Sequence, residues 1–370
     1  MKAATLAVQR PRDARLLVVD GAGRIAHRAR SELAELLEPG DLVVANDAAT
    51  LPASLVGTHL ASGAAIEVRL AGRGSLDDAD AASTFIAIVF GAGDFRTRTE
   101  DRPAPPPLAS GDALALGPLL AAVERLVDHP RLVEIRFEGD GDTVRAGIAR
   151  HGRPVQYAHL AAPLDVWDVW TRIAAEPVAF EAPSAGFVLD WRLLDRLAAR
   201  GIGFATLTHA AGLSSTGDAA LDARLPFDEP YRLPASTVAA IVDARRRGDR
   251  IVALGTTVAR ALEHAAARPG GLRSGPGLAT NRLGAATRPA VVDVLISGTH
   301  EPGSSHHQLL RAFVDDTTLT RIDATLESAR YLTHEFGDSV LVERAPQPRS
   351  NLKTATLARR FGNERTTLPA

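Results

Sequence analysis

The chain contains no cysteine. That excludes a thiol nucleophile, an iron–sulfur cluster, a disulfide and a thiolate zinc site. Lysine occurs only at Lys2 and Lys353, near the two ends, and arginine supplies the rest of the strongly basic charge. A P-loop lysine, a Schiff-base lysine and pyridoxal chemistry are therefore excluded from the body of the chain. Ala- and Arg-rich, Lys-poor usage is what a GC-rich genome produces, so the depletion need not itself be functional. No run of about 18 apolar residues occurs, so no membrane-spanning helix is predicted. The N-terminal MKAATLAVQRPRD lacks a long apolar segment and a cleavage site; no secretory signal is read, and a cytoplasmic protein is expected. A net charge of −2 gives no dominant field for nucleic acid, while leaving room for a local basic face. Chemistry is left to His, Asp, Glu, Ser, Thr, Tyr, Arg and backbone groups.

What is present is a 370-residue chain, long enough for two domains. Arg15–Asp20, a Gly21-Ala22-Gly23 turn and Arg24–His27 read as a hairpin. Ser31–Leu37 reads as a helix stopped by Pro39-Gly40, and Asp41–Ala45 as a buried strand delivering Asn46 and Asp47 to its C-terminal end. From about Thr58 to Arg150 the texture changes to short β-like runs: Ile66–Leu70, Phe85–Phe90, Phe95–Thr99, Leu132–Phe137 and Thr143–Ala149. Leu116–Val127 is the one helix expected there. Close turn signals between short strands point to a small barrel or sandwich inserted into an α/β body.

The α/β pattern then resumes. Asp190 is positioned to cap a helix over Trp191–Ala199, with Trp191, Leu194 and Leu197 on one face. Strand Phe204–Thr208 ends at His209. A helix over Ser236–Arg247 closes at Gly248. Strand Ile251–Leu254 runs through Gly255-Thr256-Thr257 into a helix over Val258–Ala267. Strand Val291–Ser297 ends at Gly298-Thr299-His300, followed by helices over Ser305–Val314 and Leu319–Tyr331 and a strand over Ser339–Glu343. Three strands thus end in polar clusters, as in a doubly wound sheet whose site lies along one edge. The expected organisation is an α/β body over 1–57 and 153–344, an inserted β-barrel over 58–152 and a polar tail over 345–370. A monomer is expected.

The Gly255-Thr256-Thr257 turn is the strongest candidate for a ligand-holding element. A helix N-terminus offers free N–H groups, here with two hydroxyls beside them. A plain strand–helix connection with Thr256 or Thr257 as N-cap accounts for the same residues. His209 at a strand end is a candidate acid/base, or a hydrogen-bonded structural histidine. Ser184 between Pro183 and Gly186 suits a loop holding a ligand carboxylate better than a nucleophile elbow, whose first glycine it lacks. His300, His306, His307 and Glu301 fit no standard metal spacing, and no metal is expected.

In order and length together, these segments resemble the S-adenosylmethionine:tRNA ribosyltransferase-isomerase family of the queuosine pathway. The resemblance runs from about Arg12 to Glu343. It is carried by RDARLLVVD (Arg12–Asp20), LLEPGDLVVANDAATLPASLVG (Leu36–Gly57), ARHG (Ala149–Gly152) and APSAGFVLDWRLLDRLAARGI (Ala182–Ile202). RRGDRIVALGTTVARALEHA (Arg246–Ala265), VVDVLISGTHEPGSSHHQLLRAFV (Val291–Val314) and EFGDSVLV (Glu335–Val342) complete it. The family joins an α/β domain to a smaller β-barrel. It transfers the ribosyl part of S-adenosylmethionine to an aminomethyl-deazaguanine in a tRNA anticodon, giving an epoxy-cyclopentenyl product and releasing adenine and methionine.

The resemblance implies a ligand site containing Gly255, Thr256, Thr257 and Arg260. Ser184, Ala185 and Gly186 stand in the family's Pro-Thr-Ala-Gly loop, Asn46 and Asp47 in its Asn-Asp/Asn turn, and Asp338 in the last matching segment. His209, His300 and Glu229 are the implied proton-handling and orienting groups. The chain also departs from the family pattern. Phe187-Val188-Leu189 replaces Leu-His-Phe, Leu207–Ser215 loses a Gly-Thr-Phe, and Pro226-Phe227-Asp228-Glu229 stands for Met-His-Ser-Glu. Gly298-Thr299-His300 stands for Asn-Phe-His. Two alternatives stay open on these departures: a paralogue using S-adenosylmethionine on a small-molecule acceptor or cleaving it without tRNA, and a non-catalytic nucleoside-binding protein.

Overall fold

The structure, a computed structural model, describes residues 1–78 and 82–345. The tail expected over 345–370 lies, from residue 346, outside the described residues. The chain opens with the hairpin β1 (Arg15–Val19) and β2 (Ile25–Ala29), followed by β3 (Leu42–Asn46). Next come β4 (Ser54–His59), β5 (Ala64–Gly72), β6 (Thr84–Phe90), β7 (Ala113–Leu116), β8 (Leu119–Leu126) and β9 (Leu132–Phe137). These six close into an antiparallel barrel in the order β8-β9-β6-β5-β4-β7. Helix α1 (Gly141–His151) follows, packed on β8.

The body resumes with α2 (Trp191–Ala199), β10 (Gly203–His209), β11 (Glu229–Leu233), α3 (Ala235–Arg247) and β12 (Ile251–Leu254). Then come α4 (Thr256–Ala267), β13 (Gly275–Ala279), β14 (Val294–Gly298), α5 (Ser305–Leu310), α6 (Asp316–Ser328) and β15 (Ser339–Glu343). Nine strands form one mixed sheet in the order β13-β11-β10-β3-β12-β14-β15-β1-β2. Its centre, β10-β3-β12-β14, is parallel, and antiparallel pairs flank it on both sides.

Side-chain alternation explains how both faces are buried. Leu42 and Val44 enter one core with residues of α3, α4 and α6, while Val43 and Ala45 enter the other with Leu193 and Leu197 of α2. A strand covered on both faces must be apolar throughout, which is why LVVA and IVAL read as unbroken runs. The α/β body with helices on both faces and an inserted β-barrel is as expected from the sequence. Among the described residues no helix is long and apolar enough to cross a membrane.

Local expectations needed correction. The helix expected over Leu116–Val127 is strand β8: Leu119, Ala121 and Val123 are buried while Leu120 between them is 43% exposed. Period 2 was hidden because small alanines occupy both faces. The strand expected over Thr143–Ala149 lies in α1, where the Asp140 carboxylate accepts the Thr143 N–H at 2.8 Å and Val144 and Ile148 stack one turn apart. Phe95–Thr99 forms a turn held by Asp94, which accepts the Arg96 N–H at 2.9 Å. In α2 the buried face is Leu193–Leu197, and Trp191 is 66% exposed.

Candidate functional site

A cavity of about 280 Å³ lies beyond the C-terminal ends of the parallel strands β10, β12 and β14. That size is at the low end of ligand pockets, roughly 300–1,000 Å³. Its wall at β12 is the Gly255-Thr256-Thr257 turn. Gly255, φ +111°, is the N-cap of α4, so the threonines expected to cap are instead the first two helical residues. The Gly255 N–H donates to the Ile296 carbonyl at 2.8 Å, tying the turn to β14. Opposite it stands the 3₁₀ turn Ser184–Val188, and a Cβ on Gly255 would meet the Ala185 methyl at 3.4 Å.

Of the expected residues, Ser184, Ala185, Gly255, Thr256, Thr257, Arg260, Glu229 and His300 all line this cavity. Asn46 stands behind them. Its Nδ2 donates to the His209 carbonyl at 2.9 Å and lies 3.4 Å from Thr257 Oγ1, and its Oδ1 accepts the His209 N–H at 3.0 Å. Asn46 thereby fixes the two strand ends relative to the turn. Asp47 accepts the Thr208 hydroxyl at 2.7 Å, and Gly186 packs against Thr171. Neither lines the cavity. Asp338 also lies away from it, its carboxylate taken by the Arg15 N–H at 2.7 Å, the Arg15 guanidinium at 2.8 Å and the Leu332 N–H at 2.9 Å.

Arg260 is buried and nearly saturated. It donates to Glu229 Oε2, to the carbonyls of Asn281 at 2.9 Å and Ala279 at 2.7 Å, and to that of Phe227 at 2.8 Å. Glu229 also accepts the Gly212 N–H at 2.6 Å. Burial pushes the Glu229 carboxyl up, and the guanidinium and the Gly212 N–H oppose that. His209 is fully buried behind Glu229, its Nε2 at 3.4 Å from Oε2 but without a hydrogen bond on either ring nitrogen. Burial, then the Arg260 charge, push its pKa down to about 3, so the ring is neutral.

His300 Nε2 contacts the Ser297 hydroxyl at 3.2 Å, and its ring stacks on His306 with centroids 4.6 Å apart. Burial holds His300 well below the ordinary imidazole range and takes His306 down to about 4. Ser304 caps α5 by accepting the His307 N–H at 3.3 Å, and His307 itself contacts Asp323 at 3.0 Å. His306 lines the cavity.

Sequence reasoning passed over Glu181, which lines the cavity next to Ala182-Pro183. Nothing in its spacing marked it; an acid just outside the Ser184 loop was the available signal. One cluster outside the cavity, His159, His334 and Glu335, brings a ligand atom from each within 4.8 Å of the others. Its two imidazoles are stacked 4.3 Å apart with planes 23° from parallel, and His159 contacts Glu335 at 3.3 Å. Stacked rings send their lone pairs side by side rather than to one point, so the cluster is a ring stack with a histidine–carboxylate contact. A second, open groove of about 770 Å³ runs between barrel and body, lined among others by Arg73, Arg125, Arg136, Arg224 and Arg282 and by Asp78, Glu134 and Asp228, with Arg125 paired to Glu134 and Arg136 to Glu124. It shares Pro226 and Arg282 with the cavity.

Fold and cavity together define an α/β protein with an inserted barrel and a cavity of mixed polar and apolar lining at the strand ends. The chain belongs to the family described as queuosine biosynthesis protein, whose sequence profile it matches over residues 2–342. It is 34% identical over 339 residues to the S-adenosylmethionine:tRNA ribosyltransferase-isomerase of Gloeobacter violaceus, covering 90% of each chain. To the enzyme of the same name from Anaeromyxobacter sp. it is 33% identical over 355 residues, covering 90% of this chain and 94% of that one. A crystal structure of an S-adenosylmethionine tRNA ribosyltransferase from Thermotoga maritima aligns at 23% identity and a TM-score of 0.47, over 92% of this chain and 95% of that one.

Proposed function

We propose that this chain is an S-adenosylmethionine:tRNA ribosyltransferase-isomerase, transferring the ribosyl part of S-adenosylmethionine to an aminomethyl-deazaguanine in tRNA in the cytoplasm. The observation that carries this reading is the cavity in which the Gly255-Thr256-Thr257 turn faces the Ser184-Ala185 loop, in a chain of this family. The turn presents helix N-terminal N–H groups and two hydroxyls, donors suited to ribose oxygens or a methionine carboxylate. The neutral His300 can donate or accept a hydrogen bond at the cavity, and burial makes it a weak base. Glu229 lines the cavity with its charge compensated by Arg260, so it orients a ligand amine through hydrogen bonding rather than through net charge. His209, neutral and buried behind Glu229, acts on the site through that carboxylate.

The arginine-lined groove supports the tRNA side of the reading. With lysine absent from the body, arginine is the residue left to meet phosphates, and it does so bidentately. The groove meets the cavity at Pro226 and Arg282, so an RNA backbone lying in it would bring a base to the cavity mouth.

The test is one incubation with S-adenosylmethionine, with and without tRNA carrying the aminomethyl base. Adenine released only with that tRNA is the expected result. Release without tRNA would point to a small-molecule or hydrolytic activity, and tight binding without turnover to a nucleoside-binding protein.

A further inference from the structure

Among the described residues two carboxyl groups of the cavity form no ion pair, Glu181 and Asp222, and Asp222 is taken up by the Thr216 N–H and hydroxyl and the Ser215 hydroxyl. Glu229 has Arg260, and Glu335 nearby has His159. Among the described residues no arginine or histidine forms an ion pair with Glu181. Its partners are neutral: the Tyr157 hydroxyl and, at 3.0 Å, the Ser214 N–H, both on Oε1, together with the Ser214 hydroxyl.

The surroundings accommodate both charge states of this group. When Glu181 is ionised, the Tyr157 hydroxyl donates to it. When Glu181 carries a proton, the same hydroxyl can turn to a second acceptor, the Ser215 carbonyl at 3.1 Å, while its oxygen goes on accepting the Ser215 N–H at 3.2 Å and the Ser214 hydroxyl at 3.4 Å. Tyr157 can therefore turn away from Glu181 without losing an acceptor for its own proton. A carboxyl group so placed in a ligand cavity is suited to proton transfer.

We propose that Glu181 accepts a proton from the acceptor's aminomethyl group, converting an ammonium into the amine that attacks the ribosyl carbon. This rests on the transferase reading above. In the step one N–H bond breaks and one O–H bond forms: ammonium and carboxylate become amine and carboxylic acid. The step ends with that transfer: the freed nitrogen lone pair is available to the ribosyl carbon, and the proton stays on Glu181 until water takes it after product release. An ammonium entering the cavity also meets in Glu181 the charge it lacks.

The charges facing Glu181 set when it works. Burial, and behind it the Glu335 carboxylate, push its pKa up to about 7, while the hydrogen bonds of Tyr157 and Ser214 hold it down. Across the cavity stand Asp222, Arg282, His300, His306 and the Glu229–Arg260 pair. His300 and His306 are held neutral well below this range, and His159 lies against Glu335.

The experiment is the pH profile of kcat/KM for tRNA, read as adenine release. The wild type is expected to rise through an acid limb near pH 7. Glu181→Gln should lower kcat at least 100-fold, abolish the limb and keep S-adenosylmethionine affinity within about twofold; Glu181→Asp should restore part of the rate. Two substitutions outside the cavity read the same limb without touching the base. Glu335→Gln removes a charge that raises the pKa and should move the limb to lower pH. Tyr157→Phe removes a hydrogen bond that lowers it and should move the limb to higher pH. A merely structural role would not give shifts of opposite sign. Glu181→Gln within threefold of wild type with its limb intact would overturn the proposal, as would limb shifts of the same sign in the two outer variants. If wild type releases no adenine with tRNA, it is the transferase reading that fails.

Discussion

The guanidinium of Arg260 and the carboxylate of Glu229 meet beneath the cavity, and each is also bonded to backbone that shapes it: Arg260 to three carbonyls, Glu229 to the Gly212 N–H. A pair so placed joins α4, β11 and the loop after β10 at one point. Arg260→Ala is expected to destabilise the protein by about 3–5 kcal/mol, because it strands a buried carboxylate. Urea unfolding measures this. In a double-mutant cycle with Glu229→Gln the two losses should be less than additive, by roughly 1–3 kcal/mol. Additivity would show that the pair does not act as a unit.

The turn at β12 separates backbone from hydroxyl effects. Gly255 sits at φ +111°, and a Cβ there would press on Ala185 at 3.4 Å. Gly255→Ala should therefore lower stability by about 1 kcal/mol or more and displace the Ser184 loop. Thr257→Val should leave the unfolding midpoint unchanged and weaken S-adenosylmethionine binding about tenfold, the worth of one hydrogen bond. Calorimetric titration distinguishes them; equal affinity of Thr257→Val and wild type would remove Thr257 from the ligand site.

Buried neutral histidines give stability a signed pH dependence. His209 and His306 have folded pKa values of about 3 and about 4, below the unfolded 6.5, and His300 is depressed as well. Their contribution is present above pH 6.5 and lost as pH falls towards those folded values, since the unfolded chain takes up the protons. Glu181 runs the other way, its contribution complete below pH 4.5 and lost as pH rises through about 7. His209→Phe should flatten the acid loss between pH 6.5 and 4. It should not lower stability at pH 7.5, because it removes two buried ring nitrogens without partners and keeps a ring beside Tyr231. An unchanged slope in urea unfolding across that range would mean that His209 is protonated in the folded state.

Asp338 ties Arg15 of β1 and the Leu332 N–H to the start of β15. Asp338→Asn is expected to cost about 2 kcal/mol of stability with ligand affinity unchanged. A fall in affinity without a fall in stability would return Asp338 to the ligand site.

The body was legible in the sequence because parallel strands covered on both faces must be unbroken apolar runs, and because caps such as Asp190 and stops such as Gly248 mark helix ends. Asp190 does accept the Leu193 N–H at 2.7 Å, and Gly248 does take the left-handed conformation. The barrel was harder to read. In Leu119–Leu126 alanine falls on both faces, so alternation is weak, and the true helix Gly141–His151 announces itself mainly through the Asp140 cap. The turn Gly255-Thr256-Thr257 stood out as a strand-to-helix junction. Glu181 did not, because its significance comes from Tyr157, Ser214 and Glu335, which are remote in sequence and meet it only in the folded chain.

The order of strands in the sheet has a consequence for synthesis on the ribosome. Strand β15, made of residues 339–343, lies between β14 and β1, and among the described residues it is the strand that bridges the parallel centre to the N-terminal hairpin. The first strands to emerge must therefore wait for one translated more than three hundred residues later. Until then β14 and β1 each expose an open edge, the kind of template on which nascent chains pair wrongly with one another. The six barrel strands, all from one continuous stretch, can close long before that.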